Sequence, residues 1–196
     1  MSDLRIQSGL LKGMQLHLSA ESPTRPTAVR ARMAMVNSLA TRLQGASVLD
    51  LFAGSGAFGL ECVSRGASRS VFVEKDRKVS SSLQLSFTEA RRRFQKQKIS
   101  EPAMILHSGD VEPALKGLGS EAHFDIIFAD PPYDLAQGCL ENILISCGEL
   151  TKPGAIFIFE VPEAFDLSKV GEHVTWRFQR DRKYGIARFL EWERVA

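Results

Sequence analysis

The sequence predicts an α/β fold, a mostly parallel sheet of the Rossmann-like kind with helices on both faces. Three observations lead there. Short β-rich runs alternate with longer amphipathic ones, which is how βαβ units are written. The strand-like runs are apolar throughout rather than alternating, as strands covered on both faces require. A glycine-rich turn, Gly54 to Gly59, joins the first core strand to its helix.

The elements follow in order. Ser47–Phe52 is a strand and Gly56–Arg65 a helix. Ser70–Glu74 is a strand, and Asp76–Lys98 carries a long helical pattern. Ala103–His107 is a strand followed by a short helix from Asp110. Phe124–Ala129 is a strand, Leu135–Leu150 a helix and Ala155–Phe159 a strand. Val174–Arg180 and Ile186–Trp192 flank Tyr184-Gly185 as a closing hairpin, with Trp176 and Trp192 packing across it. Ahead of this core, Leu4–Leu18 reads as two short strands turning at Gly9–Gly13, and Thr27–Leu43 as a helix opened by Pro26. Residues 1–44 therefore form an N-terminal hairpin and helix extension, and residues 45–196 the core domain.

Composition agrees. At 196 residues, 44% hydrophobic and 24% charged, the chain is of ordinary globular composition, which excludes disordered, collagen-like and coiled-coil classes. Three cysteines with no C-x-x-C pair point to a reducing cytosol rather than a disulfide scaffold or zinc site. The four histidines are scattered without metal-ligand spacing, so no metal is expected. No apolar run reaches a membrane span and the first residues lack a signal-peptide core, so a cytoplasmic location without membrane contact is expected. The net charge of +2 hides a split. Residues 1–98 hold 16 basic and 7 acidic residues, whereas residues 99–172 hold 3 and 13. Such asymmetry suits a polyanionic partner on the basic part.

The segment Gly54-Ser55-Gly56-Ala57-Phe58-Gly59 fits G-x-G-x-x-G, with Glu74 20 residues after Gly54. That pattern serves nicotinamide and flavin dinucleotides, so an oxidoreductase is one reading. Asp50 at the end of the first strand opposes it, because a carboxylate facing pyrophosphate is like charge against like. It suits S-adenosylmethionine, which carries an ammonium, a sulfonium and a carboxylate but no phosphate. The cofactor site then comprises Asp50, Phe52, Ala53, Gly54 and Gly56 for the methionine part. Glu74, with its neighbour Lys75, takes the ribose hydroxyls, and Asp110 the adenine amine. These acids stand at the carboxyl ends of consecutive strands, the edge where open α/β sheets bind ligands.

Asp130-Pro131-Pro132-Tyr133 follows the fourth strand. Two prolines fix φ and remove two donors, which leaves carbonyl acceptors at a strand end. The amino group of a nucleobase is a poor nucleophile because its lone pair is delocalised. Acceptors on both of its hydrogens, the Asp130 side chain and the Pro131 carbonyl, favour a pyramidal nitrogen, and Tyr133 offers a stacking face. Methyl transfer to an exocyclic base nitrogen follows, with Asp130, Pro131, Pro132 and Tyr133 as the catalytic group. The base must be single-stranded, looped or flipped. Adenine N6 in DNA is the alternative target, although no room for a separate target-recognition region is evident.

Leu49–Ala67, the Glu74 strand end and the D-P-P-Y resemble bacterial small-subunit rRNA guanine-N2 methyltransferases of the RsmD type. So do Arg5-Ile6 through Gly13, the run Arg25-Pro26-Thr27 with Arg30, Arg32 and Asn37, and Tyr184-Gly185 with Arg188 and Leu190. Met33, Val36 and Ser86 depart from that pattern. The resemblance implies a seven-stranded sheet with an antiparallel last strand. It also implies N2-methylation of a guanine in 16S rRNA, on naked rRNA or a partly assembled ribosomal particle, with S-adenosylhomocysteine as product. Arg25, Arg30 and Arg32 are the expected RNA contacts, and a monomer is expected.

Overall fold

The computed structural model describes residues 4–19, 26–119, 123–170, 173–185 and 187–195. Its centre is one seven-stranded sheet. The strands are β1 (Ser47–Leu51), β2 (Arg69–Glu74), β3 (Ala103–Ser108), β4 (Phe124–Ala129), β5 (Thr151–Val161), β6 (Trp176–Tyr184) and β7 (Ala187–Arg194). Their order is β3-β2-β1-β4-β5-β7-β6, with β7 antiparallel to both of its neighbours. The helices are α1 (Pro26–Ser38), α2 (Ala57–Ser64), α3 (Arg77–Gln97), α4 (Val111–Gly117) and α5 (Tyr133–Gly148). Among the described residues no helix is long and apolar enough to cross a membrane.

Local sequence explains the elements that flank the ligand edge. The Asp76 side chain caps α3 by accepting the N–H groups of Lys78 and Val79 at 2.7 and 3.0 Å. Val79, Leu83, Phe87, Ala90 and Phe94 recur at helical spacing and are all buried against the sheet. The tight β1–α2 turn depends on glycine. Gly56 caps α2 at φ 69°, and a Cβ on Gly59 would lie 2.4 Å from a ring carbon of Phe72. That approach seats α2 directly on β2.

The strand order turns back on itself at β1. From there β2 and β3 lie on one side and β4 and β5 on the other, and this switch opens a crevice at the carboxyl ends of the strands. Beyond β5 the sheet is closed by aromatic packing. Phe157 stands 5.8 Å from Trp176 and 5.7 Å from Trp192, and the Trp176 indole N–H donates to the Leu144 carbonyl. The tryptophans do not face one another across the hairpin as expected. Trp192 is opposite Phe178, and Trp176 opposite Arg194, because the tight turn pairs Tyr184 with Ala187 and so sets Trp192 against the middle of β6.

The N-terminal segment also departs in detail. The two expected strands reduce to one antiparallel bridge, Arg5 to Gln15, flanked by backbone bonds such as Ile6 N–H to the Met14 carbonyl. Leu4, Ile6, Leu11, Met14 and Leu16 are buried among residues of α2, α3 and β2, so side-chain burial fixes this segment more than strand pairing does. The helix expected to run to Leu43 ends at Ser38, and a 3-10 turn covers Ala40–Arg42.

Candidate active site

A cavity of about 630 Å³ opens at the switch point, within the range of small-molecule sites. Its walls include Arg32 from α1, Asp50 and Phe52 from β1 and the turn, Glu74 from β2, Asp110 before α4, Asp130 after β4 and Glu160 from β5. Ala53, Gly54, Lys75, Pro131, Pro132 and Tyr133 line it too. Every residue assigned from sequence to the cofactor or to catalysis therefore lines this cavity, except Gly56, the N-cap of α2.

The turn is held from within by carboxylates. Gly54 N–H donates to one oxygen of Glu74 at 2.8 Å, and Asp76 N–H to the other at 2.8 Å. Gly59 N–H donates to Asp50 at 3.0 Å, and Gly56 N–H to the Ala53 carbonyl at 2.7 Å. The three glycine amides of the motif are thus committed to protein acceptors. Phe52 adopts φ 59°, an unusual conformation for a residue with a side chain, kept by the Ala53 N–H bond to the Val73 carbonyl.

Asp50 is only 2% exposed. It supports the turn from behind, where an open acceptor was expected. Burial pushes its carboxyl up to about 8, against the opposing pull of the Gly59 bond. Asp110 occupies the N-cap position of α4 but its side chain makes no capping bond, which leaves it exposed at the cavity.

At the other end stand Asp130 and Glu160. Strands β4 and β5 run parallel with Ala129 opposite Phe159, so the next residue of each strand, Asp130 and Glu160, comes side by side. Asp130 is reached by solvent through the cavity mouth, yet the enclosing walls push its carboxyl up to about 6, with Arg32 pulling the other way. Glu160 is half-buried; desolvation and the Asp130 charge push it up to about 8. The Pro132 carbonyl starts α5 by accepting from Leu135 and Ala136 at 2.9 and 3.2 Å. The Pro131 carbonyl has no hydrogen-bond partner among the described residues. Tyr133 begins α5 and is 52% exposed at the cavity mouth. Phe58 and Phe128, stacked at 4.0 Å, form the apolar wall.

Of the three arginines assigned to RNA, Arg25 lies outside the described residues and Arg30 is exposed on α1. Arg32 turns inward. It lines the cavity, burial lowers its pKa, and Glu61, Asp50, Asp130 and Glu160 all act on its charge. The basic run on α3 engages Glu101 through Arg91 at 2.7 Å and Glu89 through Arg93 at 2.9 Å, away from the cavity.

Glu160 was missed in the sequence because the strand reading stopped at Phe159. The signal was present: Asp50, Glu74, Asp110 and Asp130 already marked strand ends with acids, and Glu160 continues the series.

This strand order with an acid-lined crevice defines the Rossmann-like fold of S-adenosylmethionine-dependent methyltransferases. An RNA methyltransferase from Salinibacter ruber, solved with S-adenosyl-L-homocysteine, shares it at a TM-score of 0.57 and 14% identity, over 89% of this chain and 94% of that one. The family described as Conserved hypothetical protein 95 matches residues 4–193, and the chain belongs to it. The ribosomal RNA small subunit methyltransferase D of Escherichia coli K12 is 33% identical over 98% of this chain and 91% of its own. The solved structure of the Escherichia coli protein yhhF superimposes with a TM-score of 0.78 at 26% identity, covering 100% of this chain and 99% of that one.

Proposed function

We propose that this protein transfers a methyl group from S-adenosylmethionine to the N2 amine of a guanine in small-subunit (16S) rRNA. The observation that carries the reading is the pairing of the Asp130 carboxyl with the unengaged Pro131 carbonyl in the same cavity as the Gly54 turn.

The cavity chemistry fits that donor. Five carboxyl groups line it against Arg32 and Lys75; with Asp50 and Glu160 held protonated by burial, the other three still leave an acidic balance that favours a sulfonium and an ammonium and disfavours a pyrophosphate. With the amides of Gly54, Gly56 and Gly59 already engaged, the turn supports a ligand by shape more than by anion binding. Each Glu74 oxygen keeps a second lone pair for a ribose hydroxyl, and Asp110 is open to an adenine amine. When bound, S-adenosylmethionine supplies an activated methyl group whose C–S electron pair leaves with sulfur.

The chain's own residues do the rest by position and electrostatics. Asp130 and the Pro131 carbonyl accept the two amine hydrogens, Tyr133 stacks on the base, and Phe58 and Phe128 exclude water. Once the N–C bond forms, the nitrogen carries an extra proton, and Asp130 is the acceptor for it. Arg30 and the segment around α1 are the RNA-facing rim. The name of the Escherichia coli relative supports rRNA as the substrate class.

Thermal unfolding with each ligand separates this reading from a nicotinamide enzyme. S-adenosylhomocysteine at a hundred times its Kd is expected to stabilise the protein by about 2.7 kcal/mol. NAD is expected to leave the midpoint unchanged. Stabilisation by NAD alone contradicts the proposal.

A further inference from the structure

The Glu160 side chain has no hydrogen bond among the described residues, lines the cavity and stands beside Asp130, one residue beyond the Ala129–Phe159 pair of the parallel register. The reaction proposed above gives it no task. Adjacent parallel strands are about 4.8 Å apart, so the carboxyl groups at their ends address neighbouring atoms of one flat ligand edge.

We propose that Glu160 is the residue that reads the target base as guanine, its carbonyl oxygen accepting N1–H and its hydroxyl donating to O6 while Asp130 holds the N2 amine. This rests on the guanine-N2 reading. On the Watson–Crick edge of guanine the N2 amine, N1–H and O6 follow one another in that order. A carboxylic acid matches the last two with one acceptor and one donor.

The surroundings set the two acids apart. Of these two neighbouring carboxyl groups, both desolvated and both drawn down by Arg32, Asp130 is pushed to about 6 and Glu160, which also meets the Asp130 charge, to about 8. The adjoining carboxyls thus hold a proton between them near neutral pH, and Glu160, the one pushed up further, is suited to donate to O6 while Asp130 is suited to the amine hydrogens. Adenine presents the opposite pattern, a bare N1 and an amine at position 6. The same carboxyl then faces an acceptor with its acceptor and a donor with its donor, unless it turns over and loses its place beside Asp130.

The test uses the base analogue 2-aminopurine, which keeps the N2 amine and lacks both N1–H and O6. Small-subunit particles are assembled with rRNA carrying guanine or 2-aminopurine at the nucleotide the wild-type enzyme methylates. A bidentate base contact of this kind is worth about fivefold to a hundredfold in discrimination. The wild type is expected to prefer guanine by that factor in kcat/KM. Glu160→Ala is expected to lose the guanine rate by the same factor and leave the 2-aminopurine rate unchanged, so that the preference disappears. Glu160→Gln presents the same acceptor and donor and is expected to keep the guanine rate. A role confined to folding lowers both substrates together, and an unchanged guanine preference in Glu160→Ala overturns the inference. Failure of the wild type to form N2-methylguanine at all instead overturns the functional reading, so the two are distinguishable.

Discussion

Asp130 and Asp50 are both aspartates at strand ends, and their surroundings give them different duties. Asp130 faces the cavity mouth with Arg32 opposing its desolvation, which keeps it ionised above about pH 6. A base or hydrogen-bond acceptor in that position contributes typically 10²–10⁴-fold to rate. Asp130→Ala is therefore expected to lower kcat by about that factor while S-adenosylhomocysteine affinity, measured by calorimetry, stays within a few-fold. Near-normal turnover in that variant removes Asp130 from the mechanism. Asp50 is sealed beneath the turn with its carboxyl near 8. In the unfolded chain the same group titrates near 4. Between those values the unfolded chain has lost the proton and the fold retains it, so stability falls as pH rises, by up to about 1.4 kcal/mol per pH unit, and stops falling above about 8. Asp50→Asn keeps an oxygen for the Gly59 N–H and has no proton to lose. Its midpoint is expected to decline less between pH 5 and pH 8 than that of the wild type, and parallel declines argue against the buried, protonated carboxyl.

At the scale of elements, the β1–α2 turn forms one wall of the cavity and is tied to the Glu74 strand end through the Gly54 N–H. Its geometry depends on α2 lying close to β2, and Gly59 is the contact that permits this. A Cβ there would meet the Phe72 ring at 2.4 Å and the Ser70 hydroxyl at 2.7 Å, both on the strand and unable to retreat. Overpacking of this kind costs about 1–3 kcal/mol. The gain in helix propensity from glycine to alanine is at most about 1 kcal/mol. Gly59→Ala is thus expected to destabilise the protein by up to about 2 kcal/mol in urea titration; a stability equal to or above wild type shows that α2 can move. The same turn explains why much of the core was legible. G-x-G-x-x-G after an apolar run, Asp76 ahead of a helical stripe and D-P-P-Y after another apolar run are local signals with local causes. The N-terminal segment was less legible because its conformation is set from afar: five buried side chains docking on α2, α3 and β2 hold it, with one bridge where two strands were expected. Trp192 faces Phe178 and not Trp176 because the turn that pairs Tyr184 with Ala187 sets the register, and composition carries no mark of it.

For the whole molecule, the uneven charge along the chain acquires a spatial meaning. The acids of the middle segment, Asp110, Asp130 and Glu160, meet Asp50 and Glu74 from the basic half around one cavity. Arg32, from the N-terminal segment, enters the same cavity at the Asp130 end, with Arg30 exposed on the same helix. Under the proposed function the acidic pocket takes the cationic donor and the arginine-bearing helix beside it the polyanionic substrate, a reading that accounts for both signs of charge at once. Sequence alone located four of these five acids, missing Glu160, and gave Arg32 an outward role, because nothing in the spacing of α1 tells which arginine turns toward the sheet edge. The central claim, methylation of a guanine amine in small-subunit rRNA, is tested most directly by product analysis. Small ribosomal subunits from cells lacking this activity are incubated with the protein and S-adenosylmethionine, and the rRNA nucleosides are then identified by mass spectrometry. One additional N2-methylguanine in 16S rRNA is the predicted result; N6-methyladenine, or methylation of DNA in place of rRNA, would contradict it.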